Sequence, residues 1–263
     1  RACAVNGAER LTKTVTYTYL FIDKIGELSP DGIKPGPGWP DPKAGTRLEQ
    51  GYDYGMDSVV LNDPRYMDKI ETALLSIPTI SLVTDLNNLF DPDSGIYSNA
   101  FNRGRDWERK VSVELLNPDE TPGSQIDAGF RIRGGFGRQG SNFKHAFRLF
   151  FRGEYGEGKL NFPLFEDEGV SEFDHVDLRT AQNYSWAYNS NHGGDNARNT
   201  LLREVFSRDT QRDMGQPYTR SRYYHLYING TYWGLYQTQE RSEASFGESY
   251  FGGSKEDYDV VKV

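Results

Sequence analysis

The chain has 263 residues, of which 14% are aromatic, and this length suffices for one large or two modest domains with a hydrophobic core. Its formal net charge of −8 argues against unspecific binding to nucleic acid or to an anionic membrane, although six Lys and Arg residues between positions 131 and 152 form a basic strip. The single cysteine, Cys3, excludes an internal disulfide, a zinc cluster and a dithiol redox pair, and no apolar run approaches the ~20 residues that span a bilayer.

The first 50 residues are predicted to form two short units. Residues 15–21 alternate between polar and larger apolar or aromatic side chains, which predicts a strand. Because a strand needs partners, we expect residues 1–30 to be the remnant of a preceding β module, and the chain to be joined to other domains of a larger protein. The prolines and glycines between Pro35 and Pro42 cannot sustain a helix or a strand ladder, and they predict a linker over residues 31–50.

Residues 51–263 are predicted to form the main domain. Asp63 and Pro64 suit the start of a short helix that runs to about Leu75. Apolar and alternating patterns then predict a mostly antiparallel succession of strands. These strands cover residues 77–83, 111–115, 128–133, 143–151 and 173–180, and a last strand covers residues 258–263.

One helix and one hairpin are predicted in the C-terminal part. An apolar face between arginines predicts a helix over residues 196–213. The pair Asn229-Gly230, which separates two β-like runs, favours a type I′ turn because both central residues of that turn need a positive φ. Together the elements predict an α+β fold, a mostly antiparallel sheet with one main helix, in the order found in the N-lobe of a protein kinase.

Residues 131–151 predict a strand, a glycine-rich turn and a second strand. Gly135, Gly137 and Gly140 fit the pattern G-x-G-x-x-G, and glycine lets backbone N–H groups approach phosphate oxygens without a steric clash. Since a strand follows the glycines, a flap over phosphates, as in protein kinases, fits better than a dinucleotide-binding turn. The alternative is that the three glycines only reverse the chain in a hairpin.

Four charged residues are candidates to act beside this turn. Lys144 or Arg133, on the flanking strands, could neutralise phosphate charge, and Glu204 or Glu240 could hold that basic residue in position. The alternative is a solvated strand face, which is the commoner position of Arg and Lys on an antiparallel sheet. The oxygen-rich residues 85–95 lack the spacing of a calcium loop, and a hydrogen-bonded turn explains them better. Catalytic residues and metal ligands are not assigned.

Short motifs from residue 77 onwards carry a family resemblance. They are Ile77-Pro-Thr-Ile80, Gly95-Ile-Tyr97, Trp107-Glu-Arg109 before Val111-Ser-Val-Glu114, Arg133-Gly134, Lys144 to Leu149, Arg198-Asn199, Asn229 to Tyr236, and Glu240. In these motifs the chain resembles the CotH family of spore-coat and cell-surface proteins, whose members are similar to atypical protein kinases. Residues 1–21 also look like the closing strands of a β-sandwich that often precedes such a domain.

The resemblance implies that residues 51–263 are the nucleotide-binding half of a CotH-like kinase domain. ATP and Mg²⁺ would be the cofactors, and phosphoryl groups would be transferred to serine-rich coat or surface proteins. The location implied is extracellular, at the cell surface or in the spore coat. The aspartates that hold metal and acceptor in the family are expected beyond Val263, which leaves catalysis by this chain alone in question.

Two other functions stay open. The same fold could serve as a non-catalytic structural protein of a coat, a cell surface or a fibre, since an aromatic, glycine-rich and acidic chain suits that role equally well. A carbohydrate-binding surface module is the second alternative. It is motivated by the many tyrosines and by Trp39, Trp186 and Trp233.

Overall fold

The fold is given by a computed structural model, which describes residues 2, 5–7, 9–10, 14–27, 33–180 and 200–261. The described strands are β1 (Val5–Asn6), β2 (Glu9–Arg10), β3 (Thr79–Val83), β4 (Arg109–Leu116), β5 (Ser124–Ile132), β6 (Phe147–Phe150), β7 (Leu160–Asn161), β8 (Glu172–Phe173), β9 (His175–Thr180), β10 (Ser221–Ile228) and β11 (Thr231–Gln239). The described α-helices are α1 (Ser58–Asn62), α2 (Ile70–Leu74), α3 (Leu86–Phe90), α4 (Arg203–Asp213) and α5 (Ala244–Phe251). Short 3₁₀ helices cover Ile22–Glu27, Arg105–Trp107, Phe136–Arg138, Glu166–Glu168 and Lys255–Asp257.

Seven strands close into a barrel in the order β10, β11, β9, β6, β5, β4, β3. Neighbouring strands are antiparallel except at the closing pair, where β3 and β10 run parallel and Ile80 lies opposite Leu226. The barrel is therefore mixed. Closure leaves no free edge in this sheet, so the backbone hydrogen bonds of its strands are made inside the fold.

Alternation along the strands separates a core face from an outer face. In β5, Ala128, Phe130 and Ile132 are buried in the main hydrophobic cluster, whereas the intervening Arg131 is half-buried. The same period of two in β9 buries Val176 and Leu178 in that cluster. Charged side chains on the outer faces of neighbouring strands are thereby brought side by side.

Aromatic side chains fill much of the core. Trp233 is 2% exposed, and its indole Nε1 donates a hydrogen bond of 2.8 Å to the Tyr97 hydroxyl. Trp39, from the proline- and glycine-rich run, is 7% exposed and lies 6.0 Å from the Trp233 ring. This run therefore contributes a core side chain to the cluster that fills the barrel.

The predicted fold class, α+β with one main helix in the manner of a kinase N-lobe, is wrong. The described residues are mostly β, and their helices are short; the longest of them, α4, has 11 residues. The physical reason is the pairing of β3 with β10, which joins segments far apart in the sequence and converts a sheet into a closed barrel. Alternation within a strand identifies its two faces but does not identify a distant partner.

Several element boundaries also differ from the predictions. The strand predicted over residues 15–21 is wrong, because only Val15 forms a bridge, with Ala2, and the Thr18 N–H instead donates to Glu114 Oε2 at 2.8 Å. Helix α2 begins at Ile70, after turns over residues 64–69. Helix α4 begins at Arg203, and residues 196–199 of the predicted helix lie outside the described residues. Residues 258–261 are not in a strand, and residues 262–263 are not described.

The hairpin prediction is confirmed. Strands β10 and β11 pair antiparallel around Asn229 and Gly230, whose φ angles are 48° and 81°. The Asn229 side chain also accepts a hydrogen bond of 2.9 Å from the Thr84 N–H, which ties the turn to the end of β3. In the described part of the chain, no helix has the length and apolar character needed to cross a membrane.

Candidate functional site

A cleft of about 940 Å³ lies on the outer face of β5, β6, β9 and β11. Its floor is a row of side chains at matching positions on the four strands. Arg131 pairs with Arg148 across β5 and β6, Arg148 with Asp177 across β6 and β9, and Asp177 with Gln239 across β9 and β11. Since the alternate residues are buried in the core, strand register alone brings these polar groups together.

The cleft concentrates positive charge in an acidic protein. Asp177, Glu240 and Glu243 are the carboxylate residues among its lining side chains. Of the described residues, eight arginines line it as well, namely Arg103, Arg131, Arg133, Arg138, Arg148, Arg179, Arg208 and Arg241. In a chain of formal net charge −8, such a cluster creates a local positive potential that attracts anions.

Carboxylates in and beside the cleft are shared by pairs of arginines. The Asp177 side chain, 1% exposed, forms ion pairs of 2.6 Å with Arg133 and 2.5 Å with Arg148. Glu204 of α4 forms ion pairs of 2.7 Å with Arg179 and 3.3 Å with Arg208. Because each carboxylate holds two guanidinium groups, positive charge remains for a ligand.

One end of the cleft holds two arginines, Arg103 and Arg138, that form no ion pair with a carboxylate of the described residues. Arg138 is 6% exposed and donates to the carbonyl oxygens of Gly134 (2.6 Å), Ala100 (2.5 Å), Asn102 (2.9 Å) and Ile132. Burial, together with the positive charges of Arg103 and Arg131, lowers the pKa of Arg138 to about 10. The Arg138 guanidinium therefore stays protonated at neutral pH. A bound anion would reduce its electrostatic repulsion with the neighbouring positive charges.

The other two lining carboxylates are engaged by neighbouring groups. Glu240 accepts hydrogen bonds from the Arg220 N–H at 2.8 Å and from the Tyr250 hydroxyl, and burial raises its pKa. Glu243 lies 3.1 Å from His175 Nε2 and 3.4 Å from Arg148. The hydrogen bond from His175, with the nearby arginine charges, lowers the pKa of Glu243 to about 2.

The predicted site residues do not all come together. Arg133, Gly135 and Glu240 line the cleft, and Glu204 contacts two of its arginines. Lys144, Gly137 and Gly140 are not among the lining residues. Contact of these three residues with phosphates stays a prediction, and their positions outside the cleft lining do not support it.

Lys144 lies in an aromatic environment outside the cleft lining. Its Nζ donates to the Asp53 carbonyl oxygen at 2.6 Å and lies 3.8 Å from the centre of the Trp233 ring. Burial lowers the pKa of the Lys144 ammonium to about 8. The positive charge is thus directed to a backbone oxygen and an aromatic face.

The glycines of the turn have two different surroundings. Gly137 O accepts a hydrogen bond of 2.7 Å from His145 Nδ1, and the Gly140 N–H donates to Arg47 O at 3.2 Å. A Cβ on Gly140 would collide with the backbone of Glu49. Gly140 thus has a packing reason, as the chain-reversal alternative proposed, whereas Gly135 lines the cleft.

Sequence reasoning missed Asp177, Arg179, Arg208 and Arg103 as members of the site. The alternation of Asp177 and Arg179 within one strand was a signal for an outer charged face. What joins them to Arg131 and Arg133 is the register between β5, β6 and β9, which the chain order does not reveal.

The described residues offer no cage for a metal ion, because they contain no group of three or more His, Cys, Asp and Glu side chains suited to ligate one. In the oxygen-rich segment, Asp91 Oδ1 accepts hydrogen bonds from the Asp93 N–H at 3.0 Å and from the Ser94 N–H and hydroxyl, both at 2.8 Å. This is the hydrogen-bonded turn predicted for residues 85–95.

Comparison with known proteins gives one family. A family model described as CotH kinase protein matches residues 130–263, which include three of the four strands that form the cleft floor and the last three residues of the fourth, β5. No curated protein matches the chain.

Proposed function

Because the chain belongs to the CotH kinase protein family, we propose that its arginine-lined cleft binds the phosphates of a nucleotide, ATP, for phosphoryl transfer to a protein hydroxyl group. The observation that supports this proposal most is the cluster of eight arginines in one cleft of an acidic chain. Guanidinium groups present planar pairs of donors that match phosphate oxygens, and they stay charged at neutral pH.

The cleft suits a polyphosphate better than it suits a bare metal ion. The amide N–H groups of Gly134 and Gly135 donate to no described residue, and both residues line the cleft, so they add neutral donors to the arginine charges. Its carboxylates, Asp177, Glu240 and Glu243, are already bound by arginines, by a tyrosine or by a histidine. We therefore propose that these residues bind phosphate groups and not a bare Mg²⁺ ion.

The contribution of these side chains to phosphoryl transfer is positioning and charge neutralisation. Transfer from ATP develops negative charge on the phosphate oxygens, which fixed guanidinium groups stabilise. We further propose serine-rich proteins of a spore coat or cell surface as acceptors, and the same location for this chain, from the association of the family with the spore coat.

The alternatives have less support from the structure. Trp39 and Trp233, which motivated a carbohydrate-binding module, are 7% and 2% exposed and cannot stack on a sugar, and Trp186 lies outside the described residues. A non-catalytic structural role predicts that nucleotides leave the protein unchanged.

Titration calorimetry with ATP, combined with thermal unfolding, tests the proposed binding. Native-state binding at a hundred times the dissociation constant stabilises a protein by roughly 2.7 kcal/mol. Arg133→Gln is expected to weaken ATP binding about tenfold to a hundredfold, since a charge-assisted hydrogen bond contributes ~1.5–3 kcal/mol. Arg65→Gln is the matched control, because Arg65 also forms a 2.6 Å ion pair with an aspartate but lies outside the cleft lining.

Unchanged ATP affinity in Arg133→Gln, or the absence of any ATP binding by the unsubstituted chain, would contradict the proposal. Circular dichroism of both variants checks that the barrel is still folded. A loss of affinity in Arg65→Gln equal to that in Arg133→Gln would also contradict it, because the effect would then be one of overall charge.

A further inference from the structure

We propose that the cleft end formed by Arg103, Gly134, Gly135 and Arg138, called here the Arg103 subsite, binds the terminal phosphate of the nucleotide. Within it, Arg103 is the residue that distinguishes a triphosphate from a monophosphate. This inference rests on the proposed function and names the part of the cleft that determines its specificity.

The distribution of charge along the cleft supports this assignment. Arg133 and Arg148 share Asp177, and Arg179 and Arg208 share Glu204, so those guanidinium groups are partly neutralised. A terminal phosphate carries more negative charge than a bridging one at neutral pH. The terminal phosphate is therefore bound most favourably next to arginines that are not paired with a carboxylate.

The Arg103 subsite meets that condition. Arg138 donates to backbone carbonyl oxygens, and Arg103 forms no ion pair with any residue that the structure describes. Arg131, which also lines the cleft, lies 3.4 Å from Glu108 and is thus partly balanced. The two unbalanced guanidinium groups stand beside the N–H groups of Gly134 and Gly135, which donate to no described residue.

Arg138 also fixes the geometry of the subsite. Its guanidinium bonds to Ala100 and Asn102 on one side and to Gly134 on the other, so it joins the segment that carries Arg103 to the glycine-rich turn. Both segments are held in place before a ligand arrives, which lowers the entropic cost of binding. Arg138 itself makes four hydrogen bonds to carbonyl oxygens with its five N–H donors, and it acts mainly as a fixed charge.

Arg103, by contrast, is exposed and available to contact a ligand. The next residue, Gly104, has φ 92° and ψ −176°, a conformation that is essentially restricted to glycine. This backbone places Arg103 at the cleft with a planar fork of donors that can bind a phosphate through two parallel hydrogen bonds.

The test compares Arg103→Gln with Arg47→Gln, titrated with ATP, AMP and inorganic tripolyphosphate. Arg47 is a matched control, because it is also exposed, forms no ion pair in the described part of the chain and does not line the cleft. Arg103→Gln is expected to weaken binding of ATP and tripolyphosphate about tenfold and binding of AMP less than about twofold. Arg103→Lys keeps the positive charge but lacks the planar fork of donors. Its affinity for ATP is expected to lie between that of the unsubstituted chain and that of Arg103→Gln.

The outcomes separate this inference from the proposed function. If the unsubstituted chain binds ATP and Arg103→Gln binds it equally well, the inference is wrong and the proposed function stands. If the chain binds tripolyphosphate in an Arg103-dependent way but shows no ATP binding, the phosphate subsite is supported and the proposed function is wrong. An equal loss for AMP and ATP would also overturn the inference, because Arg103 would then contact a phosphate common to both.

Discussion

At the scale of single residues, Asp177 organises the cleft. Its side chain is on the outer face of the barrel but is covered by neighbouring side chains, and it lies opposite Arg148 in β6 and Gln239 in β11. It forms ion pairs with Arg133 and Arg148. A buried carboxylate between two arginines orients both guanidinium groups and prevents their mutual repulsion from opening the cleft. Its role is thus to position the cations, and under the proposed function it is the arginines that would contact the ligand.

Asp177→Asn is therefore expected to lower the free energy of unfolding by about 3–5 kcal/mol, because the partly buried Arg133 loses its counter-charge and Arg148 keeps only its pair with Glu243. Urea denaturation in low-phosphate buffer measures the change. Asp127→Asn is the control, since Asp127 forms a 2.6 Å ion pair with the half-exposed Lys110. This substitution should lower the free energy of unfolding by less than about 1 kcal/mol. Equal losses in the two variants would show that Asp177 has no special role in the cleft.

The sequence predicted part of this site at the residue scale. Arg133, Gly135 and Glu240 were recognisable from their positions beside the glycine-rich turn and after the hairpin, and they do line the cleft. Lys144 had the same kind of signal but lies against Trp233, because the segment before β6 packs on the aromatic core. Local position could not distinguish these two outcomes, since the difference arises from contacts with residues distant in sequence.

At the scale of elements, the β10–β11 hairpin was the most predictable unit. Its turn chemistry is local, and Asn229 and Gly230 both adopt the positive φ that a type I′ turn requires. Closure of the barrel was unpredictable for the opposite reason, because the β3–β10 pairing depends on the whole sheet. The same pairing places the hairpin beside β3 and so determines which faces of β9 and β11 become the cleft floor.

Gly230→Ala tests the contribution of this turn. Gly230 has φ 81°, and a Cβ in the left-handed region costs about 1–2 kcal/mol, so we expect the free energy of unfolding to fall by that amount. Gly36→Ala is the control, because Gly36 has no atoms near its added Cβ and is not among the glycines with positive φ. A Gly230→Ala variant as stable as the unsubstituted chain in urea would show that the turn does not constrain the hairpin.

At the scale of the whole molecule, the charge is strongly segregated. The chain has a formal net charge of −8, yet one cleft gathers eight arginines. An acidic exterior disfavours unspecific contact with nucleic acids, while the cleft focuses a positive potential on a small anion. The family match and the charge segregation are thus two separate lines of support for the proposed phosphate-bearing ligand.

The barrel also extends beyond the residues that carry the family match. Strands β3 and β4 precede residue 130, yet they complete the barrel, and Trp39 packs into the same core. The residues from 96 to 107 supply Arg103 and part of the cleft lining. The cleft therefore depends on both the family-matched part of the chain and the part before it.

The most direct test of the central claim is an experimental structure of the chain with a bound non-hydrolysable ATP analogue. We predict that the phosphates contact the arginines of the cleft, with the terminal phosphate at Arg103 and the amides of Gly134 and Gly135. A nucleotide bound elsewhere, with the cleft arginines contacting no phosphate, would contradict the account.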